Sequence, residues 1–137
     1  MSALTELLAI RWALTLWESR LDAELGGVHG LGLSELAALY HLAEAPGGKL
    51  RRVDLARRLA ITSSGVTRLL GPLEKRGIVT RAVDGNDARA THAVLTRAGK
   101  SLVADASATA ADLAETLLGS LPKSDRAAFT RLAADHV

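Results

Sequence analysis

The sequence predicts a mainly α-helical fold with one small β-hairpin wing, and three observations carry that expectation. Apolar residues recur at spacings of three and four through most of the 137 residues. The rhythm changes at residues 78–96, where two short runs read as strands around a polar turn. Charge is segregated: residues 49–100 hold 12 Lys or Arg against 4 Asp or Glu, so the net charge of +2 conceals a basic centre between acidic flanks.

The first helix is marked by Leu4, Leu7, Ile10, Leu14, Trp17 and Leu21, with Leu25 and Val28 continuing the row. A second row, Leu8, Trp12 and Leu16, widens the apolar face enough to meet both its own domain and another chain. Gly26, Gly27, Gly30 and Gly32 are expected to break it. Ser34 is a candidate N-cap for a second helix with Leu36, Leu39 and Tyr40 inward, stopped by Pro46-Gly47-Gly48. A short extended piece at Lys49–Arg51 precedes a third helix carrying Val53, Leu55, Ala56 and Leu59.

After a turn at Ala60-Ile61, Thr62 caps a fourth helix with Val66, Leu69, Leu70 and Leu73 on one face. Pro72 predicts a kink, because it lacks an N–H and its ring meets the Arg68 carbonyl. Lys75 and Arg76 suit the negative end of this helix, and Gly77 its left-handed C-terminal position. Residues 78–83 and 93–96 then form the hairpin around Asp84–Arg89. Thr96 starts a long fifth helix with Leu102, Ala106, Leu113 and Leu117 inward; Leu121-Pro122 separates it from a last amphipathic segment with Ala128, Phe129 and Leu132.

Helix, four-residue turn, helix and hairpin is the winged helix-turn-helix order, in which the second helix enters the major groove of duplex DNA. With its apolar face turned inward, that helix leaves Ser63, Ser64, Thr67 and Arg68 outward near its N-terminus, and Gly65 permits close approach. An arginine there can pair bidentately with guanine O6 and N7. The competing reading is an ordinary solvated row. The hairpin tip offers Asn86, Arg89 and His92; an arginine on such a loop suits a narrow minor groove, or pairs with Asp87 to shape the turn. Arg81 joins Lys49, Arg51, Arg52, Arg57 and Lys75 as candidate phosphate contacts.

The runs Val53-Asp54-Leu55-Ala56-Arg57-Arg58-Leu59, Gly65-Val66-Thr67-Arg68-Leu69-Leu70 and Leu73-Glu74-Lys75-Arg76-Gly77-Ile78-Val79, followed by Asp87, Arg89, Leu95 and Thr96, resemble the MarR family of regulators over about residues 4–135. Val53 and the Gly71-Pro72 pair depart from its pattern. The resemblance implies a homodimer held by its first and last helices, reading a palindromic operator as a transcriptional repressor. Its two recognition helices would lie one helical turn apart, roughly 34–36 Å. The expected division is a DNA-binding lobe at residues 34–96 and a helical dimerisation region at 1–33 and 97–137, one intertwined folding unit. The resemblance also implies a cleft for a small aromatic or anionic effector, bordered here by Trp12, Trp17, His29, Tyr40 and His41, although packing explains the same five residues.

Other classes fare worse. No cysteine is present, which removes disulfides, thiolate metal sites and thiol redox switching. No His/Asp/Glu set has metal spacing, no cofactor motif is found, and no nucleophile–base pair or phosphate-binding glycine loop suggests an enzyme. Glu6, Arg11, Glu18 and Arg20 interrupt the N-terminal stretch, so no signal peptide or membrane span is expected and the location is taken as cytoplasmic. A winged-helix protein adaptor and a nonspecific DNA binder remain as alternatives; the basic centre weighs against the first.

Overall fold

The computed structural model describes residues 1–83, 85–87 and 91–136. Its elements are α1 (Ala3–His29), α2 (Leu33–Glu44), a 3-10 turn (Pro46–Gly48), β1 (Lys49–Arg51), α3 (Arg52–Leu59), α4 (Ser63–Lys75), β2 (Val79–Val83), β3 (Thr91–Leu95), α5 (Arg97–Gly119) and α6 (Lys123–His136). The helix that the glycines were expected to break instead continues through Gly26 and Gly27 and stops at Gly30, whose φ of 66° ends it in the left-handed region. The first two glycines sit within regular helix, where they weaken it without breaking it.

The cap of α2 also differs from expectation. Gly32, not Ser34, is its N-cap; Glu35 reaches back to accept the Gly32 N–H at 3.0 Å, and Asp22 of α1 accepts the Leu33 N–H at 2.6 Å. Two carboxylates thus satisfy the first donors of α2, which leaves Ser34 exposed and unneeded as a cap. Leu36, Ala38, Leu39 and Leu42 are its buried residues, whereas Tyr40 is half exposed at 51%. On α3 the buried pair is Leu55 and Ala56; Val53, expected inside, faces out. Thr62 caps α4 as anticipated, accepting the Gly65 N–H at 3.0 Å, and the helix runs without a break through Pro72.

The strands form a three-stranded antiparallel sheet in the order β1-β3-β2, rather than a hairpin alone. Leu50 and Arg81 flank Ala93 in register, and Arg51 and Ala82 flank His92. The third strand gives the wing root a second partner, which a two-stranded ribbon needs for stability. One sheet face contributes Val79, Ala93 and Leu95 to a core built on Leu25, Leu39, Leu42, Leu55, Val66, Leu70 and Leu73, where each fully buried side chain contributes about 1.5–3 kcal/mol.

At the start of α5, Thr96 closes the lobe. Its hydroxyl accepts the Gly99 N–H at 3.0 Å and shares its hydrogen between the carbonyls of Gly77 and Ile78, at 2.7 and 2.9 Å. Gly99 lies directly against this junction: a Cβ there would overlap the Ile78 carbonyl oxygen and come within 2.6 Å of Leu95 Cδ1. The α5–α6 connection is held by Arg126, which pairs with both oxygens of Glu115 at 3.1 and 3.2 Å and holds that carboxyl below its ordinary range through hydrogen bonding and charge. No helix among the described residues is long and apolar enough to cross a membrane.

Gly99→Ala is expected to destabilise the fold by about 2–4 kcal/mol, since the obstacle is backbone and cannot rotate away. Urea unfolding checks it; a loss below about 0.5 kcal/mol would show that α5 slides to make room.

Candidate nucleic-acid interface

The α4 helix is fixed on one side by Val66, Leu70 and Leu73, all buried, with Leu69 half-buried beside them. That anchoring turns Ser63, Ser64, Thr67 and Arg68 outward, and all four are exposed. They differ in how committed they are. Ser64 shares a hydrogen bond with the capping Thr62 at 3.0 Å. Thr67 donates to the Ser63 carbonyl at 3.3 Å and accepts from Arg52 Nη2 at 3.4 Å. Among the described residues, the Ser63 hydroxyl and the Arg68 guanidinium have no hydrogen-bond partner, so both are available to an incoming group. Gly65 also has a role within the protein: a Cβ would sit 3.3 Å from Thr62 Oγ1 and 3.4 Å from Ile61 Cβ, so the missing side chain makes room for the helix's own cap.

A residue that sequence reasoning passed over organises the rest. Glu74 on α4 accepts from Arg52 Nη1 at 3.2 Å and from Arg81 Nε at 3.2 Å. Arg81 reaches it because its register opposite Ala93 starts the side chain on the core side of the sheet, at the rim where α4 passes. One carboxylate therefore joins α3, α4 and β2. Arg52 is 13% and Glu74 24% exposed, so this pair is shielded more than a surface ion pair; Arg81, at 52%, is the more exposed of the two arginines. By contrast Arg57 pairs with Asp54 at 3.2 Å on the open surface, where such pairs contribute little. Lys49, Arg51, Arg58, Arg68 and Lys75 are exposed cations of the same lobe. Within the acidic–basic pattern only the spacing of Glu74 seven residues before Arg81 hinted at the link.

On the wing, Asn86 is exposed near the tip, but His92 is not at the tip. It sits within β3, half-buried between Arg51 and Ala82, because β3 begins at Thr91. Arg89 and its suggested pairing with Asp87 lie outside the described residues.

The five candidate effector residues are dispersed. Tyr40 and His41 meet edge-on, ring centres 6.2 Å apart, and line a cleft of about 510 Å³ between α2 and α5 with Leu21, Leu33 and Leu36. Trp17 lines a neighbouring groove and also a separate apolar cleft of about 880 Å³ with Ile10, Leu14, Leu118, Phe129 and Leu132. Trp12 is 64% exposed on α1, on the far side of that helix from Ile10 and Trp17. His29 is committed: its Nε2 lies 2.7 Å from Thr109 Oγ1 on α5, and Thr109 itself donates to the Asp105 carbonyl. No cluster of His, Cys, Asp or Glu among the described residues could hold a metal ion.

Comparison with known proteins gives the same architecture. The sequence profile of the MarR family matches residues 29–90. A MarR family transcriptional regulator from Streptomyces coelicolor, solved in complex with DNA, is 26% identical with a TM-score of 0.88, over 98% of this chain and 86% of that one. A mutant MarR from E. coli complexed with operator DNA is 20% identical at TM-score 0.83, over 98% of both chains. BpsR of Bordetella bronchiseptica, whose DNA binding is regulated by 6-hydroxynicotinic acid, is 21% identical at TM-score 0.81, over 93% of this chain and 89% of that one. No curated protein matches the sequence.

Glu74→Ala is expected to lower stability by about 1–3 kcal/mol, because Arg52 keeps its charge in a shielded place without its acceptor. A cycle with Arg52→Ala in urea unfolding isolates the pair; coupling below about 0.3 kcal/mol would remove Glu74 as the organiser of this face.

Proposed function

We propose that the chain is a MarR-type protein, a dimeric, sequence-specific regulator of transcription that represses by occupying a palindromic duplex operator. The observation that carries this reading is the exposed N-terminal face of α4, where Arg68 stands without a hydrogen-bond partner among the described residues, in a lobe rich in exposed cations. In this reading Arg68 reads a guanine edge in the major groove. Ser63 and Ser64 contact phosphates, and Thr67, held by Arg52, fixes the register of the helix on the backbone. Arg81 offers its outer nitrogens to a phosphate, Asn86 and Arg89 belong to the wing contact, and His92 supports the wing from within its strand.

Residues 34–96 are the DNA-binding lobe in this proposal, and residues 1–33 with 97–137 the dimerisation region. The support is the surface of α1: Leu4, Leu7, Leu8, Ile10, Trp12, Leu14 and Leu16 are each more than 40% exposed. So many large apolar side chains on one helix, continuous with the cleft lined by Phe129 and Leu132, ask for a second chain. The cleft beside Tyr40 and His41, apolar with one ionisable ring at its edge, suits a small aromatic acid as effector.

Fluorescence anisotropy on the duplex upstream of its own gene, beside a scrambled duplex, tests the function. We expect two chains per native site, and Arg68→Ala is expected to lose about 1–3 kcal/mol of preference for it. Equal binding of the two duplexes by the unaltered protein would leave only a nonspecific binder. Titrating an aromatic carboxylate such as benzoate into the specific complex tests the effector: release of DNA that Tyr40→Ala abolishes is the expected outcome. Identical release in that variant would move the ligand elsewhere.

A further inference from the structure

Arg76 was expected to favour the negative end of its own helix, and it does something else. Its side chain leaves the C-terminus of α4 and spans to α1, where Nη1 donates to the Gly30 carbonyl at 3.0 Å and Nη2 to the His29 carbonyl at 3.1 Å. These are among the last carbonyls of α1. The N–H groups of Gly30 and Leu31 turn back to Gly26 and Leu25, so the His29 and Gly30 oxygens are left over by the helix's own bonding. One planar guanidinium thus caps two consecutive orphan acceptors at the negative end of a helix dipole, with forked, charge-assisted hydrogen bonds.

The location gives the contact its meaning. The other ties from α1 to the rest of the chain run elsewhere: Asp22 to the start of α2, and His29 through its ring to Thr109 on α5. Arg76 alone among the described residues joins a side chain of α4 by hydrogen bonds to α1. Gly30 is set by its backbone, whose φ of 66° favours glycine; a Cβ there would stand in ordinary contact with Arg76 Nη1 at 3.6 Å.

We propose that Arg76 is a positioning residue for DNA recognition: it locks the angle between α4 and α1, and so fixes the separation of the two recognition helices in the dimer. The inference rests on the DNA-binding dimer proposed above, but the angle itself can be measured without DNA. A guanidinium fork holds two acceptors in one plane, whereas an ammonium holds one at a time without fixing orientation. Loss of the fork leaves the shared core around Leu25 intact, so the chain stays folded while the end of α4 is no longer held to one position against α1.

The test uses the full chain, which has no native cysteine to interfere with labelling. Ser19→Cys on α1 and Ser64→Cys on α4, both exposed, carry spin labels, and the labelled chain is diluted into excess unlabelled protein so that the intrachain distance is read whatever the oligomeric state. A narrow distance distribution is expected with Arg76 and a broadened one in both Arg76→Ala and Arg76→Lys; circular dichroism confirms that each is folded. An unchanged distribution in the folded variants would overturn the proposal. On unlabelled protein, operators whose half-sites are moved apart or together by one base pair supply the functional arm. Arg76→Ala is expected to bind the best spacing about fivefold more weakly and to lose most of its preference among spacings, with an unchanged salt slope. A salt slope reduced by about one, with the spacing preference intact, would make Arg76 a phosphate contact and overturn the positioning role. Failure of the unaltered protein to bind any operator would refute the function proposed above, while the distance measurement would still decide whether Arg76 locks the angle.

Discussion

The Ile78 carbonyl is the point on which the recognition lobe turns. It ends the excursion from α4 into β2, and it accepts both the backbone N–H of Thr96, at 3.1 Å, and the Thr96 hydroxyl. Gly99 lies directly over it because any side chain there would occupy the same space. The end of the recognition helix, the first and last strands of the wing and the start of α5 are thereby gathered at one place. A close backbone approach of this kind is stiff: neither partner has rotatable bonds with which to relax.

Outside that junction, positive charge in the lobe divides by what each cation touches. Arg52 and Arg76 are spent on the protein, one on Glu74 and Thr67, the other on the end of α1. Arg81 is half spent, through its Nε. Arg68 is unspent among the described residues. The committed arginines hold the helix, the wing strand and α1 in fixed relation, and in the function proposed above a rigid frame would let Arg68 meet a base edge without a large ordering cost on binding. The same residue type suits both roles because a guanidinium can fork between two acceptors within the protein as readily as on a guanine.

The first helix is apolar nearly all round at its N-terminal half, yet only Leu21 and Leu25 are buried along its 27 residues in the single chain. A helix that is apolar on every side belongs inside a larger structure than one lobe. The open cleft against Phe129 and Leu132 extends that surface onto α6, so the two ends of the chain form one apolar face although they are far apart in sequence.

The sequence by itself determined the helices, the two capping threonines at 62 and 96, the extended pieces at β1, β2 and β3, and the outward face of α4, because these follow from local periodicity and turn chemistry. It also placed the basic centre between acidic ends. Tertiary structure decided what each charge does: that Glu74 gathers Arg52 and Arg81, that Arg76 caps another helix than its own, and that His29 is engaged by α5. It decided, too, that Gly65 and Gly99 serve packing and that Asp22 and Glu35 displace Ser34 as the cap of α2. Apolar spacing records which side of an element faces inward. A long charged side chain reaches several ångströms in many directions, and only the packed neighbours fix which acceptor it finds.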